Sequence, residues 1–238
     1  MDQIAIIIPT YNELENIEKL VKKIKQNIQK CSIFIVDDSK KNDIGKLIIK
    51  KKIKVKYFHR KEKAGRGSAI IFGLKKAFKN KKNKIFIEMD ADFSHNPKDL
   101  KKNINFFKRK KLDLLIASRY LKNSKILNWS LSRRIFSKLS NFLARNILRI
   151  SLNDFTNGFR IYSKRSAKKI IKKCGNIGDG FIILSEIIVV LHNNRYKIDE
   201  VPTIFVNRKR GESSVNLNLI LASLFGLLKL FFIKSKLK

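Results

Sequence analysis

Over the first 120 positions the apolar residues fall into two alternating rhythms. The unbroken runs Ile4–Ile8, Ile33–Val36 and Ile85–Ile87, with the interrupted segments Ile53–Phe58 and Leu112–Ala117, have the length and β-branched content of strands, the unbroken ones buried on both faces. Between them apolar residues recur at helical spacing. Leu14, Ile17, Leu20, Val21, Ile24 and Ile28 share one face, a short helix fits about 43–50, and Ser68–Phe78 reads as another. Asn12, with Glu15 three residues on, predicts a capping box, and Pro97 fits the first turn of the helix after the fourth strand. Strands alternating with helices predict an α/β domain whose sheet is mostly parallel and built by βαβ crossovers.

The pattern changes near residue 120. Ser130–Ile150 reads as one long basic helix, with an apolar stripe of Leu131, Ile135, Leu139, Phe142 and Leu143 and a second line of Arg134, Lys138, Arg145 and Arg149. Two helical segments and a strand-like run, Tyr196–Val206, follow. The chain closes on an apolar helix at about 216–233 with a tail of Lys234, Lys236 and Lys238. No internal repeat or flexible linker interrupts this order. The expected organisation is one domain over 1–215 and a surface element over 216–238.

The 238 residues are rich enough in apolar side chains for a packed core, and they exclude collagen-like, disulfide-scaffold and disordered classes. Charge adds more. Fifty-four Lys and Arg against 19 Asp and Glu give a formal charge of +35, which suits a polyanionic neighbour such as nucleic acid, an anionic lipid surface or a phosphorylated substrate. Biased nucleotide composition would also enrich Lys, Ile and Asn together. Cys31 and Cys174 match no metal spacing and read as small hydrophobes of a reducing compartment. The N-terminus runs directly into the first strand rather than into a charged and then apolar leader.

The acidic residues are few, yet five of them stand at strand ends: Glu13 after the first, Asp37 and Asp38 after the second, Asp90 and Asp92 after the fourth. In open α/β sheets ligands bind beyond the carboxyl ends of the strands, near the switch in strand order. Like charges gathered on one edge need a cation or hydrogen-bond donors, and a hard divalent ion with oxygen ligands is the simplest answer. Helix capping is the competing explanation for Asp and Asn at such turns. In Asp90-Ala91-Asp92 the two carboxylates project the same way from extended chain, a spacing suited to a metal and a diphosphate.

Six motifs occur in order: Ile-Pro-Thr-Tyr-Asn-Glu at 8–13, Val-Asp-Asp at 36–38, Gly-Arg-Gly-Ser-Ala at 65–69, Met-Asp-Ala-Asp-Phe-Ser-His at 89–95, Ser-Arg-Tyr at 118–120 and Thr-Asn-Gly-Phe-Arg at 156–160. Together, over about residues 3–215, the chain resembles family-two glycosyltransferases of the GT-A fold, a Rossmann-like sheet flanked by helices. Within them it looks most like the dolichol-phosphate and polyprenol-phosphate mannosyltransferases.

The resemblance implies roles for particular residues. Pro9, Tyr11, Glu13, Val36, Asp38 and Ala91 would hold the donor nucleotide sugar, Asp38 at the base or ribose. Asp90 and Asp92 would carry Mg²⁺ or Mn²⁺, with Ser94 as a further ligand, and would count with Arg119 as the catalytic group. Arg119, Arg133 and Ser137 would take the acceptor phosphate. Arg133 and Ser137, four apart, share a helix face, and an arginine fork suits phosphate; a solvated basic face is the rival reading. Arg208, helped by Lys209 and Arg210, and Gly211-Glu212-Ser213 resemble a loop over the donor. His95 reads as ordinary helix-entry packing. Arg66 departs from the resemblance, since an apolar residue is common at its position, and Ser39–Gly45 is looser than in relatives.

The implied activity is transfer of a sugar, mannose above all, from GDP-mannose to a dolichyl or polyprenyl phosphate, with inversion. The acceptor's second pKa is about 6, so it is mostly dianionic at neutral pH and needs orientation more than a base. The protein would work as a peripheral or monotopic enzyme on the cytoplasmic side of a membrane. The basic helix would meet anionic headgroups, and the C-terminal helix would lie amphipathically in the interface or pack on the core. Two alternatives remain: transfer of glucose or another sugar to undecaprenyl phosphate or a glycan hydroxyl, and a basic nucleic-acid-binding protein. No recognition motif supports the latter, so no nucleic acid partner is expected.

Overall fold

The computed structural model describes residues 3–60, 65–177, 182–207, 217–234 and 237, without the side chains of 217–224. Strands β1 (Gln3–Thr10), β2 (Cys31–Asp37), β3 (Lys56–His59), β4 (Asn83–Glu88), β5 (Leu114–Ser118), β7 (Arg160–Ser163) and β8 (Ile198–Pro202) form one sheet in the order β3-β2-β1-β4-β7-β5-β8. β6 (Lys125–Leu127) and β9 (Ile204–Val206) make a separate parallel pair. The main sheet is parallel except for β7, which runs antiparallel between β4 and β5. Strand order reverses between β1 and β4, so the switch point lies where Pro9–Tyr11 and Asp90 leave the sheet.

Helices cover both faces, as the unbroken apolar strands require. On one side Ile17, Leu20, Val21 and Ile24 of α1 (Leu14–Asn27), Ile44 of α2 (Asp43–Lys50), and Leu100, Ile104 and Phe107 of α4 (Asp99–Arg109) pack on Ile4, Ile6 and Ile8. On the other lie α3 (Gly65–Phe78), α6 (Lys164–Lys173), α7 (Ile182–Asn193) and the C-terminal turns of α5 (Leu131–Leu148), against Ala5, Ile7, Phe34 and Phe86. Nearly every residue of α7 is buried, because α3, α6 and α8 (Leu217–Ile233) enclose it.

Several expectations shift. The capping box does not form: Asn12 is left-handed (φ 59°), its N–H goes to Ser39 Oγ at 2.8 Å, and Glu13 instead accepts from Asn16 Nδ2 at 2.6 Å. The third strand begins at Lys56, and Pro97 precedes α4 by two residues. β7 has no apolar run to announce it, since it opens on Arg160, a buried cation whose donors go to the carbonyls of Asn157, Phe155 and Leu184. Pro202 and Thr203 split the last strand-like run, sending β8 to the main sheet and β9 to β6.

Of the two expectations for α8, packing on the core is seen for one face. Leu227 and Leu230 are buried in the core, whereas Phe225, Leu228 and Phe232 are exposed. The stripe of α5 points outward over its first three turns: Leu131, Ile135, Leu139 and Phe142 are between 50% and 72% exposed, and only Leu143 and the last turns reach the core. Among the described residues no helix is long and apolar enough to cross a membrane.

α3 crosses β1 and β2 closely at Gly73, where a Cβ would stand 2.5 Å from Ile7 Cγ2 and 3.3 Å from Val36 Cγ2. Gly73→Val should therefore lower the unfolding free energy by about 1–3 kcal/mol despite a better helix former, as denaturant titration would record.

Candidate active site

The carboxyl ends of β1, β2, β4 and β5 and the turn entering β7 converge on one sheet edge, which collects the motif residues. Asp37 is fully buried and structural. It accepts from the Ser39 N–H, the Ser39 hydroxyl at 2.5 Å and Tyr57 OH at 2.8 Å. Asp38, expected at the base or ribose, is held at both oxygens by Arg60, through Nε and Nη2 at 2.6 Å each. Arg60 Nη1 goes on to Ser68 Oγ at 2.7 Å, fastening β3 to α3. Val36 and Ala91 are buried in the core, so a ligand would reach only their backbone. Tyr11 is exposed, with Pro9 and Glu13 partly so, on the rim of the same edge.

Asp90 is anchored from two sides. Its N–H donates to His95 Nδ1 at 3.1 Å, and its Oδ1 accepts from Arg66 Nη2 at 2.7 Å and Nε at 3.1 Å. With Nδ1 accepting, the His95 proton sits on Nε2 and is donated to Asn157 Oδ1 at 2.9 Å. Asn157 Nδ2 donates to the Ala117 carbonyl. His95 is also stacked on Phe159 and edge-on to Phe205, both rings under 6 Å away. It thus ties the Asp90 turn to the β5 and β7 ends, more than the helix-entry packing expected of it. Burial pushes the Asp90 carboxyl up, but Arg66, then His95 and Arg119, hold it below the usual carboxylate range.

Asp92 Oδ1 accepts the Ser94 N–H at 3.0 Å, closing a turn that leaves Oδ2 outside it. The Ser94 hydroxyl is buried and has no hydrogen-bond partner. A buried orphan hydroxyl in the turn that carries Asp90 and Asp92 suits a shared cation site, one that substrate phosphates and water would complete. Among the described residues no three His, Cys, Asp or Glu side chains are placed to hold a metal alone. The side chains that could contribute to a divalent ion shared with a ligand are Asp90, Asp92 and Ser94.

The acceptor side differs from expectation at Arg119. Its guanidinium is buried and paired with Asp154: Nε to Oδ2 and Nη2 to Oδ1, each at 2.8 Å, with Nη2 also 2.6 Å from Thr156 Oγ1. Asp154 further accepts the N–H groups of Arg119, Thr156 and Asn157, so this pair shapes the turn that carries Asn157. Tyr120, Trp129 and Phe205 surround the Arg119 guanidinium at 5.4–5.5 Å. Ser137 Oγ lies 2.6 Å from Tyr120 OH, and Arg133 lies 4.3 Å above Trp129 and reaches Asn207 Oδ1 at 3.0 Å. Beside them a groove of about 440 Å³ is lined by Arg119, Tyr120, Ile126, Arg134, Lys138 and Arg145, among others. Arg208 through Ser213 lie outside the described residues.

Sequence reasoning assigned no role to Asp154, Asn157 or Trp129. For Asn157 the signal was present, in a motif quoted without a function; for Asp154 and Trp129 the local sequence holds none.

Comparison with known proteins agrees with the six motifs. The family model described as "Glycosyl transferase family 2" matches residues 5–171. The chain is 30% identical to a polyprenol monophosphomannose synthase of Mycolicibacterium smegmatis, over 89% of this chain and 80% of that protein. It is 34% identical to a dolichol-phosphate mannosyltransferase of Pyrococcus furiosus, over 90% of this chain but only 59% of that protein's length. Among solved structures, glucosyl-3-phosphoglycerate synthase of Mycobacterium tuberculosis, crystallised with Mn²⁺, UDP-glucose and phosphoglyceric acid, superposes with a TM-score of 0.66 at 14% identity, covering 97% of this chain and 80% of that one. At that identity the likeness is one of fold.

Arg119→Met would strand a buried carboxylate and should cost about 3–5 kcal/mol of stability, measurable by chemical denaturation. Burial raises the Asp154 carboxyl, but Arg119 and the turn N–H groups hold it below the usual range. Its stabilising contribution is therefore complete above the ordinary aspartate pKa of about 3.9 and is lost as pH falls through the depressed value. Stability–pH curves should show that this acid limb shrinks in Asp154→Asn.

Proposed function

The chain belongs to glycosyl transferase family 2, and on that premise we propose that it transfers mannose from GDP-mannose to a polyprenyl phosphate at a membrane surface. The observation that carries the reading is the pairing of Asp90, Asp92 and the unpartnered Ser94 hydroxyl at the switch point with a basic groove, joined to Asp90 through His95, Asn157, Asp154 and Arg119 and bordered by an exposed apolar helix face. The first half suits a nucleoside diphosphate. The second suits a phosphate that carries a hydrocarbon chain. The names of the two mannosyltransferase relatives supply the sugar and the lipid class.

In this reading Asp90, Asp92 and Ser94 bind Mg²⁺ or Mn²⁺, which would offset charge growing on the departing diphosphate. Tyr11, Glu13 and Pro9 border the nucleotide, with Asp38 and Arg60 fixing the floor beside it. An oxygen of the acceptor phosphate attacks the anomeric carbon as the bond to the diphosphate oxygen breaks, and the electron pair leaves with GDP. One displacement inverts the centre. A dianionic phosphate brings its own electron pair, so no side chain need take a proton. Arg133 and Ser137 orient it, while Arg119, committed to Asp154, positions the turn between the two half-sites.

The surface supports membrane contact. Leu131, Ile135, Leu139 and Phe142 of α5 and Phe225, Leu228 and Phe232 of α8 are exposed on helices that pack together, with Arg134, Lys138 and Arg145 beside them. Apolar side chains that enter the interface between cations that meet headgroups would set the protein on a leaflet without spanning it. Placement on the cytoplasmic leaflet accords with the two free cysteines.

Purified protein with Mg²⁺, radiolabelled GDP-mannose and polyprenyl phosphate should yield an organic-extractable product; Asp92→Asn or excess chelator should abolish it, and undiminished transfer in either would refute the assigned cation site. A panel of sugar nucleotides checks the donor. In co-sedimentation with phosphatidylglycerol vesicles, Ile135→Glu with Phe142→Glu should reduce binding at least tenfold at unchanged melting temperature, roughly the loss of two buried apolar side chains.

A further inference from the structure

Arg66 occupies an unusual place for a cation. Its guanidinium lies between two carboxylates, Nη1 donating to Glu88 Oε1 at 2.6 Å and Nη2 and Nε sharing Asp90 Oδ1. Glu88 is fully buried and also accepts from Tyr162 OH at 2.6 Å. The space for the guanidinium is made by Gly158: a Cβ there would stand 2.0 Å from Arg66 Nη2 and 3.4 Å from Asp90 Oδ1. Arg66 takes only one Asp90 oxygen. The other, Oδ2, lies 3.8 Å from His95 Nε2, whose proton is given to Asn157.

The charges can be counted. Glu88 and Asp90 alone would total −2; with Arg66 they total −1, and the positive charge is fixed within hydrogen-bond distance of Asp90. A divalent cation approaching Asp90 and Asp92 meets a partly neutralised carboxylate and a guanidinium that repels it. A bound diphosphate reverses the balance by adding negative charge on the open side. Resting on the assignment of Asp90 and Asp92 as the cation site, we propose that Arg66 is an internal counter-ion that disfavours a divalent cation on these carboxylates until the donor diphosphate arrives. Cation and donor then bind interdependently, and linkage makes the effect mutual: each raises the affinity of the other by one factor.

The test reads Mn²⁺ binding by the loss of its free-ion electron paramagnetic resonance signal, with no turnover. Arg66→Leu combined with Glu88→Gln, which keeps an acceptor for Tyr162, leaves the local total at −1 but removes the guanidinium bonded to Asp90, so in the absence of nucleotide it should bind Mn²⁺ about tenfold more tightly than the wild type. The gain in Mn²⁺ affinity on adding GDP should shrink by the same factor. Gly158→Ala, whose methyl would displace the guanidinium while leaving every charge in the chain, should shift both quantities the same way, and it carries the test should the double variant fold poorly. Unchanged or weaker Mn²⁺ binding by these variants at wild-type melting temperature overturns the inference. Mn²⁺ binding that ignores Asp92→Asn overturns the cation site itself, and the inference with it.

Discussion

Charge buried at a sheet edge must be answered in place, and that constraint organises this protein. Glu88, Arg160, Asp154 and Arg119 are all buried where β4, β7 and β5 end, with Arg66 and Asp90 close to them. None of these groups could stand there alone, since desolvating an unpaired ion costs several kcal/mol. Each is met by an opposite charge, a turn N–H or a carbonyl. The hydrogen bonds that satisfy Asp154 are the ones that shape the Thr156–Gly158 turn, and that turn supplies Asn157 to His95 and room to Arg66. Stability and site geometry are therefore one network.

That network joins the two halves of the proposed reaction. From Asp90 a path runs through His95 and Asn157 to Asp154 and on to Arg119, beside the basic groove. Every step is a hydrogen bond between buried or half-buried groups, where low local polarity strengthens it. Asp90 and the groove are held at a set separation by His95, Asn157 and Asp154, none of which lines the groove.

Much of this could be read in the sequence, for identifiable reasons. The five expected strands and the helices between them appear because runs such as Ile4–Ile8, buried on both faces, leave an unmistakable apolar record. The strand-end carboxylates were legible because they follow those runs. What the sequence hid was reciprocity. Arg119 and Asp154 are 35 residues apart, Arg66 and Asp90 24, and nothing local says that each completes the other. Arg119 was read as a ligand for phosphate without sight of Asp154, with which it pairs while still lining the groove. β7 escaped because its first residue is charged, and charge normally marks a surface. The stripe on α5 was visible as a stripe, but the sequence could not say that it would be left outside the core.

The antiparallel seventh strand has a consequence for how the chain assembles. Among the described residues β5 has no hydrogen-bonded neighbour strand except β7 and β8, both made more than 40 residues later. As the chain leaves the ribosome, β1 to β4 can pair at once, but the open flank of β4 and the whole of β5 must wait. Long-range pairing of this kind is slow and leaves strand edges unprotected meanwhile. The flank of β4 beside Asp90 thus closes only once residues 160–163 are made, and a nascent chain stalled before residue 160 would hold the Asp90–Asp92 turn without the strand that stands beside it.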